Sequence, residues 1–567
     1  MQQKQPSKHY HSGGHRILLA GFLCLLGFCL LAQVSKGKAS ATPPTQQSAK
    51  SSAKKPRPAQ KDEKLYLVHA DILKKTPEFP EAQILVGNVA FKHGSMNMYC
   101  DSAHYYDKSG SFEAFLNVKM TQTDTLKIYA DHLYYDAMTQ IAQLRKNVRM
   151  ENRNTTLLTD SLNYDRLYNL GYYFDGGTLM DEKNVLTSEW GEYSPGTKQA
   201  VFNYNVRVVG VNFTLTSDTL QYNTASKIVG IVGPSEVVSE ENTLLSSNGT
   251  YDTKTGKAHL LQRSLMINGH RTLTGDTLDY DKETSIGEAH GNVLMTDTVN
   301  KNILQSDYGF YNEKTGYALA THKAMAIDYS QGDSLFLHAD TLKMETYHID
   351  TDSTYKVLSG YYKVRFYRSD VQGVADSMVY SSKDSCLTLY KDPILWSDKR
   401  QLLGEQIHAY MNDSTIEWAH IVNQALSIEQ VDSLHYNQVS GKEMKAYFKN
   451  KQIDKAEVIG SVRLVYYPLE KDSTIMGMNV SETSKLEIYL VKGEFDRMVM
   501  SPQATGEYYA LPLAPEGKSK LPAFAWFDYI RPQNKEDIFI WRGKKETEQL
   551  KPKVRTPIRL PNQDLFK

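Results

Sequence analysis

The sequence predicts an all-β protein, an elongated antiparallel two-sheet solenoid. Three observations predict it. A seven-residue phrase recurs at a near-constant period of about 29, large apolar residues within each copy alternate with polar ones, and no body segment has the apolar spacing of an amphipathic helix.

The N-terminus comes first. Lys4, Lys8 and Arg16 precede an apolar run from Ile17 to Ala32, followed by Ala39-Ser40-Ala41. A basic start, a short apolar stretch and an A-x-A site predict a secretory signal peptide over residues 1–41. A run of 16 is short for a membrane span, and an uncleaved anchor is the alternative. Removal of that segment leaves 60 basic against 65 acidic residues. Such a balance speaks against a nucleic-acid binder. It also leaves two cysteines, Cys100 and Cys386, too few for a disulfide framework. Residues 42–64 are rich in Ser, Lys, Pro and Gln and predict a flexible linker.

The repeats follow. "ADHLYYD" (130–136), "TDSLNYD" (159–165), "SDTLQYN" (217–223), "GDTLDYD" (275–281) and "ADSMVYS" (375–381) are clear copies. Their second positions fall at 101, 131, 160, 189, 218, 247 and 276, then more loosely at 307, 340, 376 and 405. About fourteen copies run from Asp71 onward. We assign residues 65–320 to the regular repeats and 321–500 to a looser continuation. Residues 501–567 form a Pro- and aromatic-rich tail that either caps the array or docks elsewhere.

Within a copy, Leu278 and Tyr280 alternate with Thr277, Asp279 and Asp281, the period of a half-buried strand. Polar turns follow, and a second strand carries Gly-Asn-Val or a relative at 87–89, 146–148, 204–206 and 291–293. Gly and Asn tolerate positive φ, so this is the expected corner. Stacked bent pairs then make two facing sheets with one apolar row between them.

The repeated Asp invites a metal-ladder reading, but Ser or Glu replaces it in several copies, and turn chemistry at a strand start is the expected role. No metal-binding, phosphate-binding or nucleophile-elbow motif is found, and no cofactor is predicted. "GYYKVRFYRSD" (360–370) carries Lys363, Arg365 and Arg368 and is expected to be a solvated strand face, with an anionic ligand as the alternative.

The ordered "GNV…aD.L.YD" grammar behind a signal peptide resembles the OstA-like family, over roughly residues 65–500. The opening stretch 68–107 is especially similar. The resemblance implies a V-shaped β-jellyroll or β-taco whose hydrophobic groove shields the acyl chains of lipid A. It implies a periplasmic lipopolysaccharide-transport role in a Gram-negative bacterium, without catalysis. Implied partners are lipopolysaccharide, other transport proteins joined by edge-strand addition, and the outer-membrane translocon. This chain is far longer than a typical single bridge subunit.

The expected groove residues are Leu133, Tyr135, Leu162, Tyr164, Leu220, Tyr222, Leu278, Tyr280, Val293, Met378 and Tyr380. Sequence does not separate an open groove from a closed core. An exported structural or adhesive solenoid with a dry core is the alternative function, and a β-helical polysaccharide-active enzyme ranks last.

Overall fold

A computed structural model describes residues 64–545, apart from positions 123, 240–241, 331, 350, 413–414, 450–451, 471 and 492–493. The expected signal peptide and nearly all of the expected linker lie outside the described residues. The described residues fall into two compact units: a first of 64–295 with 310–314, and a second of 296–309 with 315–545.

In the first unit, consecutive strands pair antiparallel in a meander. Gln83–His93, Met96–Tyr106, Ser111–Gln122, Leu126–Asp136, Ile141–Asn152 and Thr155–Asp165 follow one another, each bonded to the next. Each is interrupted near its middle. Register shifts fall at Val86/Val89, Phe115/Val118, Arg145/Val148 and Asn203/Val206. At each shift two successive residues have positive φ: Gly87 and Asn88, Leu116 and Asn117, Lys146 and Asn147, Tyr204 and Asn205. Two such residues in a row form a bulge and turn the strand. The Gly-Asn-Val corners of the sequence are therefore real corners.

The bend brings the two half-sheets face to face. His93 ends one strand, and Tyr135 sits at the far end of a strand three positions on, yet the His93 ring nitrogen lies 2.7 Å from the Tyr135 hydroxyl. A straight strand from Leu126 to Tyr135 would carry that hydroxyl roughly 30 Å away at the usual rise per residue. Between the halves lies one continuous apolar core, in which Leu133, Leu144, Leu162 and Leu220 meet Met150, Leu157, Leu186 and Leu215.

The repeated Asp holds the corner. Asp101 accepts from the Asn117 side-chain amide at 2.7 Å, Asp131 from Asn147 at 2.6 Å, and Asp276 from Asn292 at 2.8 Å. Asp71 takes Asn88 at 2.9 Å in the first copy. This differs from the strand-start role expected of it. The residue lies mid-strand, and the carboxylate braces the left-handed Asn of the following strand. Strand-end turn chemistry belongs instead to the last position of the phrase: Asp165 and Asp252 accept the backbone N–H two residues on, at 2.9 and 2.8 Å.

The second unit keeps this corner with altered chemistry. Lys363 pairs with Asp340 at 3.1 Å, Lys391 with Asp376 at 2.8 Å, and Asn423 with Glu405 at 3.0 Å, each bracing a positive-φ site. Its last strand, Thr505–Tyr509, pairs with Met478–Val491. Residues 510–545 then contain only short 3-10 turns and cover a sheet face that includes Trp396, Ile428 and Val465.

Candidate functional site

In the first unit the turns that join successive strands lie along the two lips of the folded sheet. One series includes 182–183 and 210–212, and the other includes 224–227, 253–256 and 282–285. Tyrosines at 29-residue spacing stand inside the second lip: Tyr135, Tyr164, Tyr193, Tyr222, Tyr251 and Tyr280.

The first four are latched to the opposite lip. Tyr135 meets His93, and Tyr164 donates to Gln122 at 2.7 Å. Asn152 donates to the Tyr193 hydroxyl at 3.0 Å and to the Pro195 carbonyl at 3.2 Å. Tyr222 donates a very short bond to Asp181 and accepts from Asn184 at 3.1 Å. Lys227 adds an ion pair to Asp181 at 2.9 Å, and Asn184 reaches Thr253 at 3.1 Å. Burial holds the phenols of Tyr164 and Tyr222 well above the ordinary range, so they act as neutral donors.

At the fifth tyrosine the chemistry changes. The Tyr251 ring meets Phe213 edge-on, centroids 5.2 Å apart. Here a cavity of about 770 Å³ begins. Its apolar lining includes Phe213, Val237, Leu244, Tyr251, Met266 and Tyr280, and its charged lining is Lys183, Lys227, Lys254 and Lys282 with Asp181 and Glu182. Among the described residues, Lys183, Lys254 and Lys282 have no carboxylate within ion-pair distance. Apolar walls beside several cations suit an amphiphile with an anionic head.

The sequence-predicted residues divide along this line. Leu133, Tyr135, Leu162, Tyr164, Leu220 and Tyr222 are completely buried in the latched core. Leu278 and Val293 are buried near its looser end, and half-buried Tyr280 lines the cavity. Met378 and Tyr380 are buried in the second unit. Sequence reasoning missed Tyr193, Tyr251, the latch partners and the lysines. The tyrosine period was the available signal for the first two. Among the described residues no cluster of His, Cys, Asp and Glu is suited to hold a metal ion.

The segment with Lys363, Arg365 and Arg368 is a solvated face only in part: Lys363 is exposed, whereas Arg365 is buried. Lys363 is a corner brace, and Arg368 chelates Asp370 at 2.5 and 3.1 Å. Arg365 is buried, bonds the Ile538 carbonyl and lies under the Trp541 ring at 5.4 Å, and burial pushes its pKa down to about 10.

No curated protein matches the chain. Among solved structures, it is similar to LptH from Pseudomonas aeruginosa, described as the LptA homologous periplasmic component of a lipopolysaccharide transport device. The identity is 15%, the TM-score 0.18, and the match covers 18% of this chain and 79% of that one. The family described as OstA-like protein matches at residues 62–218 and 210–265, a span that holds both the regular corners and the latched mouth. Over residues 62–265 the chain matches the OstA-like family model.

Proposed function

We propose that this protein binds and carries lipopolysaccharide in the periplasm of a Gram-negative bacterium, toward the outer membrane, without catalytic chemistry. The observation that carries the reading is the cavity beginning at the Tyr251 rung; on this reading acyl chains would meet Phe213, Leu244, Met266 and Tyr280, and anionic groups would meet the lysines. Each buried CH₂ contributes about 0.8 kcal/mol, so even one acyl chain supplies substantial affinity. The OstA-like match over residues 62–265 supports the transport class. On this reading residues 1–41 direct export, residues 42–64 tether the repeats, and partner transport proteins or the outer-membrane translocon add to free sheet edges.

The test is extraction of the protein purified from its native envelope, followed by mass spectrometry. Stoichiometric lipid A species are expected. Lipid-free protein, correctly exported and folded, favours the second reading, an exported structural or adhesive solenoid. Complete burial of the Leu133-to-Tyr222 row is the observation on that side.

A further inference from the structure

Residues 519–541 cross one sheet face of the second unit as an irregular, proline-punctuated segment with short 3-10 turns, and none of them joins a strand. Two glutamines grip its backbone, each at two points. Gln438 donates to the Ser519 carbonyl and accepts the Leu521 N–H, both at 2.8 Å. Gln401 donates to the Ala525 carbonyl and accepts the Phe527 N–H, both at 2.8 Å. A side-chain amide that bonds residues i and i+2 reads a peptide much as a neighbouring strand would, through its main chain. Gln372 extends the series by accepting from the Arg531 guanidinium at 2.8 and 2.6 Å.

These glutamines lie on one cross-strand row. Gln372 faces Trp396, Gln401 faces Ile428, and Gln438 faces both Ile428 and Val465. Amide and apolar residues therefore alternate along the row. The segment supplies Leu521, Phe527 and Ile530 to the cluster that buries Trp396, Ile428 and Val465. Such a face is particular to the second unit. Ala425 follows its corner as Val206 follows its own, so Leu426 and Ile428 occupy positions where Arg207 and Val209 are exposed in the first unit. Uncovered, the apolar residues of this face would meet water; covered, its glutamines need polar partners, which a segment with a free backbone supplies.

We infer that this row is a peptide-binding site, and that its ligand is residues 519–541 of the same chain, bound in cis and exchangeable for a separate peptide of the same pattern. The pattern is an irregular apolar segment with Leu, Phe six residues on and Ile three further, the last two joined by a 3-10 turn.

The experiment uses the full chain with a protease site inserted between Glu516 and Gly517. After cutting, a fluorescent synthetic peptide of residues 517–545 is added and its anisotropy followed. Saturable one-to-one exchange is expected. Gln401→Ala with Gln438→Ala should weaken it about a hundredfold, since each loses two backbone bonds. A peptide carrying Phe527→Ala leaves the body untouched and should bind at least about tenfold more weakly. Three outcomes would overturn the assignment: loss of the β-sheet signal on cutting, no exchange at a large excess of peptide, or equal binding by the Phe527→Ala peptide.

Discussion

Asn152 donates a 3.0 Å hydrogen bond to the hydroxyl of Tyr193, forty-one residues further along the chain and on the opposite lip of the folded sheet. The same cross-mouth relation joins His93 to Tyr135, Gln122 to Tyr164 and Asp181 to Tyr222. It divides the first unit into a closed stretch and a stretch that opens on the cavity.

The latch makes a contrast that unfolding can measure. Asn152→Ala leaves the buried Tyr193 hydroxyl without its donor and should cost about 1–3 kcal/mol. Tyr251→Phe removes a hydroxyl from a rung held by ring packing and should cost under about 0.5 kcal/mol. Urea denaturation of the two variants reads the difference. Equal losses would mean that the hydroxyl row is not a latch.

Corner bracing gives a second contrast. Asn147 has φ of 50° and donates to Asp131 at 2.6 Å. Asn147→Ala loses the bond and leaves a Cβ in a left-handed position without the short polar side chain that makes it tolerable, for about 2 kcal/mol in total. Asn147→Gly loses only the bond and should be less destabilised. Denaturation midpoints in that order support the brace.

Lysines at the cavity should govern the head rather than the tail of the ligand. Replacement of Lys183, Lys254 and Lys282 by Gln should weaken binding of a phosphate-bearing amphiphile at least about tenfold and flatten its salt dependence. Binding of a neutral amphiphile of equal chain length should hardly change. Titration of both ligands at two ionic strengths checks this.

Much of this architecture is legible in the sequence because it is periodic. Corners repeat as Gly-Asn-Val, and inward residues repeat as Leu and Tyr, so each copy reinforces the next. The latch partners are not legible. His93, Gln122, Asn152 and Asp181 differ in type, and only folding of the sheet across its corner brings them to their tyrosines. Arg365 misled for the opposite reason: a basic strand residue is expected in solvent, and the segment that buries it lies 173 residues away.

Acid should loosen the covering segment near its end. His338 is buried beside the Phe539 ring, with centroids 4.8 Å apart, and its ring nitrogen lies 2.7 Å from the Ala324 carbonyl. Burial lowers its pKa below the ordinary 6.5, and Arg365 and Lys363 push the same way against that carbonyl bond and Asp340. The unfolded chain therefore binds the proton more tightly. This contribution to stability is complete above pH 6.5 and falls as pH drops from there toward the depressed folded value. Hydrogen exchange at residues 537–541 should rise over that interval in the native chain, and much less in His338→Gln.

The most direct measurement of the central claim is photo-crosslinking in cells, with the probe at Tyr280 in one strain and at Asp279 in another. Tyr280 lines the cavity, whereas Asp279 pairs on the other strand face with His259 at 2.5 Å. A lipopolysaccharide adduct at position 280 and none at 279 is the predicted result. No adduct at either position, in a folded and exported protein, would contradict lipid carriage and leave a closed structural solenoid.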